Sequence, residues 1–421
     1  MPYPPSWQSL PMRRVMAEFY DGPHATPAPS EDGPIYLGIG NLREDGLLDL
    51  GTIRHISEVD YAVWTRRVEP RPGDVVFTYE ASLHRYAIIP EGFRGCLGRR
   101  TALIRPDPEV VNTKFLLYSF LSPQWRHGVQ QRVNIGSTVD RIPLVDFPNF
   151  PITLPPLSTQ RRIASILSAY DDLIENNTRR IQILEAMAQA IYREWFVEFR
   201  FSGHEDVRMV DSALGLIPEG WSVIGIGEVV QTLGGGTPSK AVPAYWEDGV
   251  FTWYTPTDLT KSGSMFIERS AARISLLGLS RSSATAFPAR AVMMTSRATI
   301  GVVSITTVEA ATNQGFITCV ANERLGEYHL YFWLLANVGL FSALASGATF
   351  KEISRSKFRP IPIAVPPPDL ERRFHEVIAP IGDLILNLQR QTSNLRSTRD
   401  LLLPRLISGE IDVSELDLGD V

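Results

Sequence analysis

The side chains that most often perform catalysis are present in this chain, but their spacing does not assemble a reaction centre. A phosphate-binding loop needs a lysine after its glycines and a helix that presents backbone amides. The three glycines at 234–236 are instead followed by a polar stretch without a helical pattern, and the seven histidines are scattered. Asp171, Asp172 and Glu175 fall on a long helical pattern, where carboxylates usually face solvent. We therefore expect no catalysis, and neither a metal nor another cofactor.

The basic residues offer a binding chemistry instead. Most of them are arginine, whose planar guanidinium makes paired hydrogen bonds to phosphates and to guanine edges, although the excess of arginine over lysine can equally reflect a GC-rich genome. The net charge of −5 argues against a nucleic-acid partner for the chain as a whole. The charge is uneven, however, because residues 215–365 contain 12 Lys and Arg against 10 Asp and Glu, whereas residues 366–421 contain 6 against 10. A locally basic face on an acidic chain is compatible with this composition.

Length, cysteines and hydropathy limit the class of protein. A chain of 421 residues exceeds one compact domain. Cys96 and Cys319 lie far apart in the sequence, which favours buried free thiols in a reducing compartment. There is no apolar run of the roughly 18 residues that a membrane-spanning helix needs, and the first residues lack a signal-peptide pattern. We expect a cytoplasmic protein.

The elements that must position the binding residues are organised around a long helical pattern at 158–200. Apolar residues recur there at alternating steps of four and three, and a mean step of 3.5 is what a helix presents to a partner helix. No glycine or proline interrupts the stretch. At about 1.5 Å per residue the helix would be about 60 Å long, and its apolar seam needs a partner to cover it.

That partner is predicted within the same chain, because a shift of 211 residues (163 to 374) returns the same pattern near the C-terminus. The globular segments before the two helices also match, with 74–82 resembling 291–299 and 33–42 resembling 249–259. A repeat of this length fixes the architecture. The predicted coiled-coil seam consists of Ile163, Leu167, Tyr170, Ile174, Asn177, Ile181, Leu184, Ile191 and Trp195, and of Phe374, Ile378, Ile381, Ile385, Leu388, Leu395, Leu402 and Leu406.

The predicted fold class is α+β. Two mixed α/β globular domains are separated by a long antiparallel two-helix coiled coil, with an internal pseudo-two-fold repeat. The expected boundaries are 1–155 for the first globular domain, 156–203 for the central helix, 204–365 for a linker and the second globular domain, and 366–421 for the distal helix and tail. Residues 1–30 are proline-rich and are expected to be irregular, anchored by Trp7. A helix is expected at 113–121.

Four stretches carry a family resemblance. They are LPPLSTQRRIASIL at 154–167, IYREWFVEF at 191–199, GATFKEISRSKF at 347–358 and LLPRLISGEI at 402–411. In this order they resemble the specificity subunit of type I restriction–modification enzymes, over nearly the whole chain. The chain departs from the family pattern in two places. In the second copy of the repeat, Glu371 stands where the first copy has Gln160. In the first copy, the sequence GSTV at 136–139 stands where the second copy has GATF at 347–350.

The resemblance implies a non-catalytic subunit that reads a bipartite DNA sequence. Each globular domain would be a target-recognition domain for one half of the sequence. The two helices would be the spacer and would dock two modification (methyltransferase) subunits, and through them restriction (motor and nuclease) subunits, without a membrane. Two alternatives stay open: a scaffold or silent paralogue that holds its partners without selective DNA binding, and an enzyme whose active site the sequence does not reveal.

Candidate DNA contacts follow from polar or basic positions in predicted loops. For each of them an ordinary solvated or salt-bridged charge is the competing interpretation. In the first domain the candidates are Arg66, Arg67, His84, Arg85, Arg99 and Arg100, and in the second they are Thr237, Lys240, Arg297, Lys351 and Arg355.

Overall fold

The computed structural model describes residues 3–133, 139–347 and 351–416. The chain divides into two compact units, of which unit 1 comprises residues 1–176 and 392–421 and unit 2 comprises residues 177–391. Two helices of 40 residues each, Leu157–Phe196 and Pro368–Ile407, contribute residues to both units.

Unit 1 is a mixed α+β unit. Its strands are β1 (Gln8–Pro11), β2 (Met16–Asp21), β3 (Ser30–Leu37), β4 (Arg54–His55), β5 (Val75–Thr78), β6 (Tyr86–Ile88), β7 (Gly95–Leu97), β8 (Thr101–Pro106) and β9 (Pro151–Leu154). Its helices are α1 (Glu58–Trp64), α2 (Thr113–Leu121), α3 (Pro123–Gln130) and the first half of α4 (Leu157–Phe196). Short 3₁₀ turns lie at Met12–Arg14, Ile39–Asn41 and Phe147–Asn149.

The main sheet of unit 1 has the antiparallel order β2-β8-β5-β6. β5 is buried along its whole length, which is why its sequence is almost entirely apolar. A second sheet has the order β4-β3-β7, in which β3 is antiparallel to β4 and parallel to β7. The predicted helix at 113–121 is confirmed at those bounds, and it begins where the Asn112 side chain accepts a hydrogen bond from the Phe115 N–H (3.0 Å).

The expectation of an irregular N-terminal segment is wrong, because β1 pairs with β9 and β2 is part of the main sheet. The proline content hid both strands, since their identity depends on partners far along the chain rather than on local propensity. Trp7 does pack against the apolar core of unit 1.

Unit 2 repeats this organisation. Its strands are β10 (Met209–Ser212), β11 (Gly215–Pro218), β12 (Ser222–Gly225), β13 (Gln231–Gly234), β14 (Phe251–Tyr254), β15 (Phe266–Ile267), β16 (Ala272–Ile274), β17 (Val292–Thr295), β18 (Val303–Thr306), β19 (Ala310–Thr312), β20 (Phe316–Val320) and β21 (Pro362–Val365). Its helices are α5 (Ile226–Val229), α6 (Pro256–Ser262), α7 (Leu276–Ser280), α8 (Glu327–Ala336), α9 (Val338–Leu344), α10 (Arg355–Phe358) and the first part of α11 (Pro368–Ile407), with 3₁₀ turns at His204–Asp206 and Pro243–Tyr245.

Strand order confirms the internal repeat. The main sheet of unit 2 has the order β13-β20-β17-β18-β15, which matches β2-β8-β5-β6 with β15 added at one edge. The order β16-β14-β19 matches β4-β3-β7, including one antiparallel and one parallel pairing. The pair β12–β21 matches β1–β9.

The starts of the two long helices explain one departure from the repeat. Gln160 in α4 accepts a hydrogen bond from the Asn112 N–H (2.9 Å) and donates to the carbonyl oxygen of Pro155 (3.0 Å). Glu371, at the same position of α11, accepts a hydrogen bond from the Gly326 N–H (2.8 Å) and lies 2.7 Å from Nδ1 of buried His329. A carboxylate therefore replaces the amide where a histidine is its neighbour.

The predicted seam residues, all of them in the described part, are buried or half-buried, and none is exposed. In unit 1, Arg399 of α11 bonds to Asp171 of α4 at 2.5 Å. In unit 2, the Phe374 ring of α11 packs edge-on against Phe196 of α4, with ring centroids 4.7 Å apart. Within the described residues, none of the helices combines the length and apolarity needed to cross a bilayer.

Candidate nucleic-acid interface

The strand order of unit 1 brings several chain connections to one end of its main sheet. Because neighbouring strands are antiparallel, β2 and β5 end where β8 and β6 begin. The facing pairs at this end are Asp21 with Ala102, Thr78 with Thr101, and Phe77 with Tyr86. We call this end of the sheet rim 1. The connections at 79–85 and 98–100 lie on it.

Two of the predicted contact residues are held at rim 1 by ion pairs. Arg67 lies 2.8 Å from Asp21 at the end of β2, and Arg100 lies 3.0 Å from Glu80, just past the end of β5. Each carboxylate neutralises part of the charge that its arginine would offer to a phosphate, and fixes where that arginine lies. Arg66, next to Arg67 in the chain, is exposed.

The turn between β5 and β6 carries His84 and Arg85. His84 has a left-handed backbone (φ 63°), and its Nε2 lies 3.4 Å from the side-chain oxygen of Gln130. Burial lowers the pKa of His84 below its ordinary value, so the imidazole is a neutral hydrogen-bonding group rather than a cation at pH 7. Exposed Arg99 is anchored by its backbone N–H, which donates to the Tyr36 hydroxyl at 2.8 Å.

Unit 2 has the equivalent sheet end, which we call rim 2. Here β13 and β17 end where β20 and β18 begin, with Gly234 facing Ile317, Thr295 facing Phe316 and Met294 facing Val303. A Cβ on Gly235 would lie 2.0 Å from a backbone oxygen of Asn313, so only glycine allows this close approach. Thr237 and exposed Lys240 follow this glycine in the chain. The Thr237 hydroxyl donates a hydrogen bond to the Gln314 side chain at 2.7 Å.

The other predicted residues of unit 2 also lie at rim 2. Arg297 follows β17 and lies 3.7 Å from Glu352. The carbonyl oxygen of neighbouring Lys351 accepts a hydrogen bond from the Ala298 N–H at 3.0 Å. Arg355 lies across Gly234, where an added Cβ would be 3.1 Å from its Nε. The structure therefore brings most of the predicted residues of each half of the chain to one rim of one unit, whereas Arg66 and Lys240 are exposed and are placed only by their neighbours in the chain.

Some polar residues of the rims were missed by the sequence reasoning, which selected mainly basic positions. Arg141 lies over the Tyr79 ring at 5.6 Å and 4.0 Å from Glu80, and Gln314 holds Thr237. The repeat was the signal that could have found part of this set. In the repeat alignment, a shift of 217 residues aligns Glu80 with Arg297, and a shift of 211 residues aligns Arg141 with Glu352. The departures at 136–138 and 348–350 lie outside the described residues.

Both cysteines are buried. Burial raises the pKa of the Cys96 and Cys319 thiols to about 12, so both are protonated and unreactive at pH 7. Among the described residues, no group of three or more His, Cys, Asp and Glu side chains could hold a metal ion. The repeated sheet, ending twice in a rim of arginines and hydrogen-bonding side chains, defines a duplicated binding protein.

Comparison with known families identifies what such a protein binds. The family model of the type I restriction modification DNA specificity domain matches residues 68–186 and 218–394, together more than half of the chain. The chain belongs to this family and is a non-catalytic DNA-specificity subunit of a type I restriction–modification system. The two matched segments correspond to the two copies of the repeat.

Individual relatives are distant but nearly full-length. The type I restriction enzyme MjaIX specificity subunit of Methanocaldococcus jannaschii is 26% identical over 370 residues, which are 86% of this chain and 83% of that protein. The HindI specificity subunit of Haemophilus influenzae is 24% identical over 368 residues, covering 73% and 80%. The crystal structure of the type I S subunit from M. genitalium has a TM-score of 0.60 at 16% identity, covering 95% of this chain and 96% of that one. At that identity the likeness shows the fold alone.

Proposed function

We propose that this subunit selects a bipartite DNA sequence, with rim 1 contacting one half and rim 2 the other. The observation that carries the proposal is the repeated rim: the same strand order ends in a similar cluster of arginines and hydrogen-bonding side chains in both units. Arginine contacts to phosphates position a duplex, and contacts to base edges supply the sequence preference.

The proposed contacts combine the residues predicted from the sequence with those found at the rims. Exposed Arg66, Arg99 and Lys240 are suited to phosphates, because a mobile, hydrated cation can follow the DNA backbone. Side chains fixed by hydrogen bonds are better suited to base edges. The full proposed set is Arg66, Arg67, His84, Arg85, Arg99, Arg100 and Arg141 at rim 1, and Thr237, Lys240, Arg297, Gln314, Lys351 and Arg355 at rim 2.

We propose that α4 and α11 pair as an antiparallel two-helix coiled coil that separates two target-recognition domains, at 1–155 and 204–365. The helical segments are 156–203 and 366–421. Burial of the seam residues supports this pairing, as do the Asp171–Arg399 bond within unit 1 and the Phe196–Phe374 contact within unit 2. At about 1.5 Å per residue each helix is about 60 Å long, longer than the about 34 Å of one DNA turn that commonly separates half-sites.

We propose two modification (methyltransferase) subunits as the protein partners, and through them restriction subunits, because the curated relatives are named as subunits of type I restriction enzymes. Exposed apolar side chains on α4 outside the seam, including Leu173, Ile183 and Met187, are suited to such docking. The complex would act on DNA in the cytoplasm.

A matched pair of substitutions tests the placement of the interface. Arg297→Ala removes a rim 2 arginine, whereas Arg324→Ala removes an exposed arginine beyond the opposite end of β20. We expect Arg297→Ala to weaken binding of the selected duplex by about 5- to 150-fold, the range for one good base contact, and Arg324→Ala to change it less than about twofold. Binding is measured with the full chain and its modification subunits at fixed salt. Equal losses for the two variants would reject rim 2 as the interface.

A further inference from the structure

The two rims contain an equivalent ion pair whose charges are exchanged. At rim 1 Glu80 lies two residues past the end of β5, and it faces Arg141 across an isolated antiparallel β-bridge. At rim 2 Arg297 lies two residues past the end of β17, and it faces Glu352 across the same kind of bridge. The acid and the base have changed places between two units of the same topology.

The backbone around the two pairs is the same. The residue after each strand-end position has a left-handed backbone, with φ 71° at Ala81 and 62° at Ala298. Ala81 N–H donates to the carbonyl oxygen of Asp140 (3.2 Å), as Ala298 N–H donates to that of Lys351 (3.0 Å). Alanine rarely adopts this conformation, so the fold imposes it twice. The exchange is therefore confined to the side chains.

Both ion pairs are long, and their arginines are accessible. The nearest N···O distances are 4.0 Å for Arg141–Glu80 and 3.7 Å for Arg297–Glu352, longer than a hydrogen bond. The arginine side chains are 50% and 46% exposed. In contrast, the Arg105–Asp74 pair of unit 1 is hydrogen-bonded at 2.9 Å, with Asp74 only 2% exposed. Opening an exposed pair costs about fivefold or less in equilibrium terms, so the guanidinium donors are available to another partner.

Glu80 is held from a second side. Its Oε1 lies 3.0 Å from Nε of Arg100, while its Oε2 faces Arg141. By its position before β20, the counterpart of Arg100 in unit 2 is Gly315, which has no side chain. Arginine can therefore occupy position 297 at rim 2 without meeting a counterpart of Arg100. At rim 1, an arginine in place of Glu80 would lie against Arg100.

A carboxylate and a guanidinium standing side by side match the major-groove edge of one C·G base pair. Cytosine offers its N4 amino group as a donor, and guanine offers N7 and O6 as acceptors. Facing residues on an antiparallel bridge have Cα atoms about 5 Å apart, so both side chains can reach the two bases of one pair. Exchanging the two residues reverses the favoured base pair from C·G to G·C.

We propose that each ion pair reads one C·G base pair, and that the exchanged charges make the two units read it in opposite orientations relative to their own folds. This inference rests on the proposed function of the rims. It makes Glu80, Arg141, Arg297 and Glu352 determinants of specificity. It also requires the two half-sites to differ in orientation at this base pair, although the units share one topology.

The decisive variant is the double reversal R297E/E352R, which rebuilds the ion pair in the order found at rim 1. Duplexes are selected from a random-sequence pool by the full chain with its modification subunits, and then sequenced. We expect one base pair of one half-site to reverse from C·G to G·C, or the converse, while the other half-site stays unchanged. On the parental duplex the variant should lose about 5- to 150-fold in affinity.

A second variant covers the case in which the double reversal does not fold. R297M keeps an unbranched side chain of similar length but has no N–H donor for guanine. We expect it to melt like the parent and to lose discrimination at the same base pair only. Selection of the parental sequence by a folded R297E/E352R, or undiminished discrimination by R297M, would overturn the inference. A parent complex that selects no sequence at all would instead overturn the proposed function.

Discussion

Replacing Glu371 by alanine removes a buried acceptor at the start of α11. The Glu371 and His329 side chains are 6% and 1% exposed, and Nδ1 of His329 lies 2.7 Å from the carboxylate. The other carboxylate oxygen accepts a hydrogen bond from the Gly326 N–H at 2.8 Å, where α8 begins. Alanine leaves both of these partners buried and unpaired.

The expected loss is large. Removing one partner of a buried pair typically costs about 3–5 kcal/mol, and an unsatisfied buried N–H accounts for about 1–3 kcal/mol of such a loss. For a unit the size of unit 2, about 2–4 °C of melting temperature corresponds to 1 kcal/mol. Glu371→Ala should therefore lower the melting temperature of unit 2 by roughly 6–20 °C.

The repeat supplies the matched control. Gln160, at the equivalent position of α4, accepts a hydrogen bond from the Asn112 N–H at 2.9 Å. In Glu371→Gln the amide oxygen can accept from Gly326 in the same way, and the amide NH₂ can donate to Nδ1 of His329 when that nitrogen carries no proton. Because both partners stay satisfied, we expect a loss of about 1 kcal/mol or less.

Thermal unfolding of the full chain, followed by circular dichroism at pH 7.5, measures both variants. The reasoning requires the alanine variant to melt well below the glutamine variant. Equal melting temperatures for the two variants, or an alanine variant within about 2 °C of the parent, would show that the pair contributes packing volume rather than hydrogen bonding.

Two further predictions concern the helices and the cysteines. Asp171→Ala removes one partner of half-buried Arg399, which also bonds to Asp400 at 2.8 Å, and the acceptor of the Tyr118 hydroxyl. It should cost about 1–3 kcal/mol in urea unfolding, less than a fully buried pair because of solvent screening. Asp172→Ala, at an exposed neighbour, should cost less than about 0.5 kcal/mol. Because burial raises the pKa of Cys96 and Cys319 to about 12, a thiol reagent at pH 8 should label neither in the native chain and both in guanidinium. Rapid native labelling would contradict their burial.

Much of the fold was predictable because its signals are long or repeated. The seam pattern placed the long helices within a few residues of Leu157–Phe196 and Pro368–Ile407, since many periodic positions outweigh any local ambiguity. The strands β1 and β2 were missed, because prolines obscured a pattern that only the partners β9 and β8 make clear. The two-residue β15 is too short to carry a recognisable period.

The candidate interface was only partly predictable for a related reason. A loop arginine such as Arg297 is visible in the sequence, but its partner Glu352 lies 55 residues away (352 − 297) and is brought close by the strand order. Selecting mainly basic residues also hid Glu80, because an acidic residue is not expected at a DNA-binding surface. The repeat alignment recovers it, since matched backbones make matched positions comparable.

The most direct measurement is a genome-wide map of methylated bases in a host that produces this chain with its modification subunits. The proposed helical spacer and the two proposed rims predict one bipartite target, with two short defined segments separated by a constant number of undefined base pairs. A single continuous target, a variable spacer, or methylation without sequence preference would contradict the reading of DNA by two separated rims.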